Sequence, residues 1–331
     1  MNKRLEYLDC MRGIVMIMVV FCHTCGSFCL DSNDTFWINR IFEIIMLPVF
    51  FFLSGYFTKF NILGGVLKRF NTILIPTIIM FLIYVYLYWG NMNNLEHCAL
   101  QEYKFGYWFT FALFLMNLIH CGISGILNYF NKTSDKMYLV FLVSIALGLI
   151  LLKDWDWNNN KALLAQWFSL RLVAMYFPFY ILGICCNKWE YIFHRMVNNE
   201  YVTAIIMIVF IAGLFKHNGG FYFGSIMGIL GVFLLYRLVF FYQDFFSDKT
   251  MVGRQLCFIG RNTLPIYLIH YFFFLGLKLP KVGAFIDANT QWGILTILVS
   301  VLTLIIVYAS LGIVKLLSIS KILSQILIGK K

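Results

Sequence analysis

The chain has 331 residues, of which 61% are hydrophobic and only 12% are charged. Soluble globular domains carry about 25% charged residues, so this chain, with a mean hydropathy of +0.80, has too little charge to coat a core in water. This composition excludes a water-soluble domain and indicates a surface that faces lipid. The net charge of +11 is explained by basic loops facing anionic phospholipid, without nucleic acid as a partner.

Mostly apolar runs recur along the chain, and a membrane-crossing helix needs roughly 20 such residues. The runs cover residues 12–30, 41–60, 70–89, 107–126, 137–153, 169–187, 201–216, 220–243, 262–280 and 291–315. The chain is therefore predicted to be all-α, a polytopic membrane protein with a bundle of about ten transmembrane helices. We expect residues 1–331 to form a single membrane domain.

The distribution of Lys and Arg between the predicted loops orients the bundle. With the amino terminus inside, 18 of the 26 Lys and Arg residues fall on the inner side and 8 on the outer side. The positive-inside rule therefore predicts that both termini are cytoplasmic, in a multi-pass protein of the cell (inner) membrane. The basic residues before the first run are typical of a secretory signal, but nine further runs follow, so we expect this helix to be retained.

The first predicted helix carries charged and polar residues whose presence in a membrane span must be explained. Inserting an Arg or Asp at the centre of a transmembrane helix costs about 2.5–3.5 kcal/mol on insertion scales. Arg12 and His23 are 11 positions apart, about three turns, so they share one helix face about 16 Å apart along the axis. Asp9, one turn before Arg12, can pair with it or cap the helix. Two interpretations stay open: a membrane anchor plus a hydrogen-bonded core histidine, or a functional stripe whose imidazole exchanges protons.

The cysteines and small residues near the predicted spans are expected to have structural roles. Cys22, His23 and Cys25 lack a fourth ligand and a loop, so we expect no metal there. The other cysteines within or beside the spans are interpreted as small apolar residues. Gly224 and Gly228 have the small-xxx-small spacing that is typical of helix packing.

Five blocks in chain order resemble the acyltransferase-3 family of membrane O-acyltransferases. The first is LDCMRG at residues 8–13, followed by His23, and the second is FFFLSGY at residues 50–56. Lys68-Arg69 seven positions before Pro76, GYWF at residues 106–109, and IGRNT at residues 259–263 running to YLIH at residues 267–270 complete the set. The resemblance covers residues 5 to about 272, and the order of the blocks makes it specific.

The resemblance implies an enzyme that moves an acyl group, usually acetyl, from cytoplasmic acyl-CoA to a sugar hydroxyl at the outer face. The subgroup without an appended soluble domain is the more similar one, and its members act on surface polysaccharide or lipid-linked precursors. Acyl-CoA, with acetyl-CoA as the expected form, is then the donor substrate, and no tightly bound cofactor is expected. The other partners are a carbohydrate or glycolipid acceptor and the lipid bilayer.

The matched residues receive roles from their chemistry. Coenzyme A carries phosphate charges, so Asp9, Arg12, Lys68 and Arg69 are predicted to form its binding site at the cytoplasmic mouth. His23 is predicted to act as general base, with a covalent acyl-histidine as the variant mechanism. The hydroxyl of Ser54 either orients His23 or binds the thioester carbonyl, or else Ser54 only lets helices pack.

The predicted acceptor site lies towards the outer face. Glu43, Trp108 and Arg171 offer hydrogen bonds and an aromatic ring suited to a sugar. A structural ion pair of Glu43 with Arg40 is the open alternative. Asn262 and His270 match the family pattern, and a structural hydrogen bond between helices explains either of them as well.

Two other classes of protein fit the same helix count. One is a carrier or flippase for a lipid-linked sugar or small solute, and the other is a non-catalytic member that only binds a glycan or lipid. A carrier does not require a basic cytoplasmic entrance that suits CoA and leads to His23. This predicted feature therefore favours the enzyme.

Overall fold

The computed structural model describes residues 5–27, 37–58, 63–130, 135–152, 163–216, 220–275 and 292–330. Within these ranges the chain is helical and contains no β-strand, which confirms the prediction of an all-α polytopic membrane protein. The helices divide into two compact units, Met1–Leu53 with Trp189–Leu316 and Ser54–Lys188 with Leu317–Lys331. The single domain over residues 1–331 stays a prediction.

The first unit combines the amino-terminal helices with most of the carboxyl-terminal half. Its helices are α1 (Glu6–Ser27), α2 (Trp37–Tyr56, which the unit boundary divides), α10 (Glu190–Val197), α11 (Glu200–Leu214), α12 (Gly220–Phe241), α13 (Met251–Arg261), α14 (Thr263–His270) and α15 (Trp292–Leu317). A 3-10 turn, Tyr271–Phe274, continues α14.

The second unit is built from the middle of the chain and its last helix. Its helices are α3 (Leu63–Arg69), α4 (Ile75–Trp89), α5 (Leu95–Leu100), α6 (Trp108–Tyr129), α7 (Asp135–Leu152), α8 (Leu163–Trp167), α9 (Leu170–Lys188) and α16 (Lys321–Ile328). A π-helical turn, Phe70–Leu74, joins α3 to α4.

Each of the ten predicted runs contains helix in the described ranges, but not all of these helices are equally long. Seven are long and apolar enough to cross a membrane, and α10 with α11, which meet at a bend of 73°, would make an eighth. The apolar helix within α7 and the helix Thr263–Phe274 are shorter. The number of ten crossings and the cytoplasmic termini therefore stay predictions.

The outer faces of the long helices are apolar, as a lipid environment requires. On α15 Ile297 is 65% exposed and Ile305 is 57% exposed, and on α11 Ile208 is 67% exposed. Since large apolar side chains at this exposure are unfavourable in water, these faces are the lipid-contacting surface of the protein.

The closest helix contact in the first unit joins α1 to α13, which run antiparallel. A Cβ added at Gly13 would overlap the carbonyl oxygen of Leu256, and one added at Gly260 would overlap that of Asp9. Only glycine allows two backbones to approach this closely. The two glycines thus place the first turn of α1 against the last turn of α13.

The prediction that Gly224 mediates helix packing is wrong, because a Cβ there would meet no described atom within 4 Å. On α12 the close approach occurs instead at Gly231, where a Cβ would meet the side chain of Ile45. The spacing of small residues identifies possible contact faces, whereas the neighbouring helix decides which face is used.

In the second unit, a buried ammonium group organises the loop before α6. Lys104 is 2% exposed, and its Nζ donates hydrogen bonds to the carbonyl oxygens of Gln101 (3.0 Å) and Gln166 (2.8 Å) and to Ser169 Oγ (3.0 Å). Burial lowers the pKa of Lys104 to about 8, and the nearby carboxylate of Glu102 opposes that shift. The residue therefore links the loop before α6 to the start of α9.

The depressed pKa of Lys104 makes a pH-dependent contribution to stability. In the unfolded chain the pKa returns to about 10.5, so between about pH 8 and 10.5 the unfolded state binds more protons and this residue's contribution to stability rises with pH. We expect wild type to gain about 2 kcal/mol relative to Lys104→Met between pH 8 and 9.5.

Thermal unfolding of both proteins in detergent at several pH values measures this gain. Lys136→Met removes an exposed lysine of the same unit and should show no such pH-dependent difference from wild type. A constant difference between wild type and Lys104→Met across this range would contradict the assignment.

Candidate functional site

A cluster of charges lies where α1 begins and α13 ends. The carboxylate of Asp9, which is 4% exposed, contacts two guanidinium groups: Arg12 Nη1 is 3.5 Å from Asp9 Oδ1, and Arg261 Nε is 3.5 Å from Asp9 Oδ2. Arg261 Nη2 also lies 2.5 Å from Asp248 Oδ2. The predicted pairing of Asp9 with Arg12 is confirmed, and a second arginine joins it.

The local sequence explains why these charges are stable there. Asp9 lies in the first turn of α1 and Arg261 in the last turn of α13, where the helix dipoles favour a negative and a positive charge respectively. Thr250 Oγ1 accepts a hydrogen bond from the N–H of Gly253 and fixes the start of α13. The hydrogen bond with Asp248 raises the pKa of Arg261, so the guanidinium stays charged.

The two arginines of the cluster are available to a ligand. The side chain of Arg12 is 29% exposed and that of Arg261 is 32% exposed, whereas Asp9 is almost fully covered. A buried anion that orients two part-exposed guanidinium groups is a suitable arrangement for binding a phosphate-bearing ligand, because a guanidinium group carries several N–H donors that match phosphate oxygens.

Farther along α1, His23 contacts the segment that follows α14. Its Nε2 lies 3.2 Å from the hydroxyl oxygen of Tyr271, and its ring centroid is 5.0 Å from that of Tyr271 and 5.3 Å from that of His270. His23 is partly exposed and His270 is fully buried. The structure therefore brings two predicted site residues together and adds a tyrosine.

His270 presents a buried acceptor next to His23. Its Nδ1 is 3.1 Å from the carbonyl oxygen of Ile266, and since a carbonyl only accepts, Nδ1 carries the hydrogen and Nε2 of the neutral ring holds a lone pair. That Nε2 is buried and has no hydrogen-bond partner among the described residues. A ligand donor would satisfy it.

Arg261 and Tyr271 are the site residues that sequence reasoning missed. Both lie in or directly after the blocks at residues 259–263 and 267–270, which is the signal that could have identified them. Their partners on α1 are 252 and 248 positions away along the chain, so no spacing rule connects them.

Lys68 and Arg69 are the last two residues of α3, in the second unit. Lys68 is exposed and Arg69 is partly buried, and the π-helical turn Phe70–Leu74 follows them directly. Pro76 has no N–H to donate to Thr72, so the regular α-helical ladder cannot continue through this point. Such π turns are frequent at functional sites. The role of the two basic residues in donor binding stays a prediction.

Ser54 lies at the start of a polar chain within the second unit. Its carbonyl oxygen accepts from Thr58 Oγ1 (2.7 Å), Thr58 Oγ1 is 2.9 Å from the hydroxyl of Tyr180, and Tyr180 donates to Asn117 Oδ1 (3.1 Å). A Cβ at the adjacent Gly55 would overlap the carbonyl oxygen of Tyr180, which confirms the close helix approach expected there. The structure describes Ser54 within this unit and His23 within the other.

The residues predicted to bind the acceptor occupy different environments. In the first unit Glu43 is exposed and its Oε1 accepts from Asn39 Nδ2 at 2.9 Å. In the second unit Arg171 Nη1 lies 3.3 Å from Glu102 Oε2, and Trp108 is 6% exposed with its ring centroid 5.5 Å from that of Tyr176. Their role in acceptor binding stays a prediction.

Asn262 lies between α13 and α14. Its Nδ2 donates to the carbonyl oxygen of Phe258 at 2.8 Å, one turn earlier.

Among the residues with described coordinates, no three His, Cys, Asp or Glu side chains are grouped so that they could hold a metal ion.

Comparison with known proteins connects this geometry to a family. The family model for the acyltransferase-3 type, described as "Acyltransferase domain", matches residues 5–311. Nodulation protein NolL of Mesorhizobium japonicum (strain LMG 29417 / CECT 9101 / MAFF 303099) is 21% identical over 336 residues, which cover 90% of this chain and 84% of NolL. No solved structure matches the chain significantly. Since the family model spans nearly the whole chain, including α1 and the His270 segment, the chain belongs to the acyltransferase-3 family of membrane O-acyltransferases.

Proposed function

We propose that this O-acyltransferase moves an acyl group, most simply acetyl, from cytoplasmic acyl-CoA to a hydroxyl of a surface or lipid-linked carbohydrate in the cell (inner) membrane. The observation that carries the proposal is the contact of His23 Nε2 with the Tyr271 hydroxyl, next to the ring of His270. This cluster shares α1 with the two-arginine cluster at Asp9. One elongated donor, charged at one end and reactive at the other, matches that arrangement.

The donor is proposed to bind by its phosphates at Arg12 and Arg261, and the role of Lys68 and Arg69 in donor binding stays a prediction. Guanidinium groups suit phosphate because their N–H donors match its oxygens in pairs. Asp9 holds both arginines in place. The rise of about 16 Å between Arg12 and His23 along α1 leaves room for a flexible pantetheine arm to carry the thioester to the imidazole.

His23 is proposed to act as general base. If Tyr271 oxygen accepts a hydrogen bond from Nε2–H, the other ring nitrogen of His23 is left as the base. It removes the proton from the acceptor hydroxyl while that oxygen bonds to the acyl carbon. The carbon–sulfur bond then breaks, and the departing CoA sulfur takes the proton from His23. Tyr271 is a positioning residue in this scheme, and the predicted role of Ser54, in orienting His23 or binding the thioester carbonyl, stays a prediction.

The acceptor is proposed to bind through the residues predicted for it. Glu43 and Arg171 each supply polar groups and Trp108 an aromatic ring, and groups of these kinds suit the hydroxyls and C–H faces of a sugar. The alternative mechanism, through a covalent acyl-histidine, leaves the acyl group attached to the enzyme when the acceptor is omitted, whereas direct transfer does not. Incubation of active protein with radiolabelled acetyl-CoA alone, followed by denaturation, separates the two routes.

Two measurements test the proposed function. The first is mass spectrometry of surface and lipid-linked glycans from cells with and without the gene, where we expect the loss of the mass of one acetyl group per modified site. The second is acetyl transfer by purified protein in liposomes, where Arg12→Gln and Arg261→Gln should each raise the KM for acetyl-CoA by about tenfold or more, the cost of one charged hydrogen bond.

Arg195→Gln is the matched control for these variants, because it removes an exposed arginine of the same unit outside the cluster. Its KM should equal that of wild type. Unchanged glycans in cells that lack the gene, together with no transfer by the purified protein, would overturn the proposed function.

Replacing Tyr271 by phenylalanine removes the hydroxyl next to His23 and keeps the ring. We expect kcat to fall about fivefold, since a positioning hydrogen bond contributes about 1 kcal/mol, while the KM for acetyl-CoA stays unchanged. The measurement is steady-state transfer over a range of pH, and loss of the bond should displace the acidic limb of the profile, where the general base becomes protonated. Tyr308→Phe removes a hydroxyl that donates to Gln255 on the exposed surface and should retain wild-type kcat. Equal kcat for both variants would exclude Tyr271 from the mechanism.

A further inference from the structure

Two thiols face each other in the contact between α1 and α13. Cys10 Sγ lies 2.7 Å from Cys257 Sγ, and both residues are fully buried. Each thiol also contacts the backbone of the opposite helix, Cys10 Sγ with the carbonyl oxygen of Gly253 and Cys257 Sγ with that of Glu6, both at 3.2 Å. The two sulfurs are thus held against one another from both sides.

The backbone around the thiols has little freedom to separate them. The overlaps that a Cβ would make at Gly13 with Leu256 and at Gly260 with Asp9 show backbone contact on both sides of the sulfur pair. A disulfide requires Cα atoms within about 7 Å and side chains directed at one another. The glycine contacts supply the proximity of the backbones, and the 2.7 Å between the sulfurs shows the direction of the side chains.

We propose that Cys10 and Cys257 form a redox-active dithiol, which a peroxide of low molecular weight converts to a disulfide joining α1 to α13. Hydrogen peroxide oxidises one thiol to a sulfenic acid and releases one water. The second sulfur attacks the sulfenic sulfur, forms the S–S bond and releases a second water. Two sulfurs lose two electrons in total, and the peroxide oxygens gain them.

The location of the pair favours a small oxidant and the reducing side of the membrane. Hydrogen peroxide is small and uncharged, so it can reach a buried pair that larger reagents do not. The predicted topology places this end of α1 in the cytoplasm, where thiols are kept reduced and disulfides that form are transient or redox-sensing. The crosslink joins the helix of Asp9, Arg12 and His23 to the helix of Arg261. This proposal concerns the sulfur chemistry and holds independently of the acyl donor and acceptor.

Mass spectrometry of purified full-length protein tests the proposal. The protein is reduced, the reductant is removed, hydrogen peroxide is added, and free thiols are blocked with N-ethylmaleimide after denaturation. In wild type we expect a peptide pair linked through Cys10 and Cys257, an intact mass lower by two hydrogens before blocking, and the loss of two maleimide additions. Dithiothreitol should restore both additions.

Variants separate this pair from the other thiols. Cys10→Ser and Cys257→Ser should each lose the linked peptide, and Cys10→Ala serves if the serine variant folds poorly. Cys98→Ser removes a buried thiol of α5 and should retain the link. If oxidised wild type that remains folded still takes up maleimide at both Cys10 and Cys257, or links either residue to a different cysteine, the proposal is wrong.

Discussion

Replacing His23 by alanine should reduce acyl transfer by about 10²- to 10⁴-fold, the contribution of a well-placed general base. The imidazole that contacts the Tyr271 hydroxyl and lies beside His270 is lost, and with it the group proposed to accept the proton of the acceptor hydroxyl. Because His23 is partly exposed rather than at the centre of the core, the abundance of the protein in the membrane should stay at the wild-type level.

Transfer from radiolabelled acetyl-CoA by equal amounts of membrane-inserted protein measures this loss. His97→Ala is the matched control: it removes an exposed histidine of α5 whose described side-chain hydrogen bond is with Gln101, and it should keep full activity. The KM of His23→Ala for acetyl-CoA should stay close to that of wild type, since the phosphates bind elsewhere. Glycan acylation at the wild-type level in cells carrying only His23→Ala would exclude His23 as the base.

Gly260→Ala should destabilise the protein by about 4 kcal/mol or more, which is among the largest effects of single substitutions. The new Cβ would overlap the carbonyl oxygen of Asp9 on α1, and backbone atoms cannot move aside as the end of a flexible side chain can. Relief requires α1 and α13 to separate. That separation breaks the ion pair of Asp9 with Arg261 and the contact between the two thiols.

Thermal unfolding in detergent and abundance in the membrane measure the effect. Gly312→Ala on α15 is the control, because a Cβ there would meet no described atom within 4 Å. Alanine is favoured over glycine in a helix by about 1 kcal/mol, so the control should be neutral or stabilised. The two variants thus have opposite expected signs, and equal stability for both would show that α1 and α13 do not pack through Gly260.

Some of the site follows from the sequence alone. Long apolar runs with little charge determine that the chain is helical and lies in a membrane, because in lipid every backbone polar group must be satisfied within the segment. The 3.6-residue period of the helix places Asp9, Arg12 and His23 on one face of α1, and the pairing of Asp9 with Arg12 followed from that period. Both predictions depend on local geometry, and local geometry is encoded in spacing.

The partners of these residues were decided by the tertiary structure. Arg261, Tyr271 and Cys257 reach α1 from more than 240 positions away along the chain. In a soluble helix an apolar stripe marks the face that packs, but membrane helices are apolar on all sides, so the sequence pattern does not identify which faces meet. Glycine contacts and the shapes of neighbouring helices make that choice, as the difference between Gly260 and Gly224 shows. The sequence thus determined where polar groups lie along each helix, and only packing determined which of them touch.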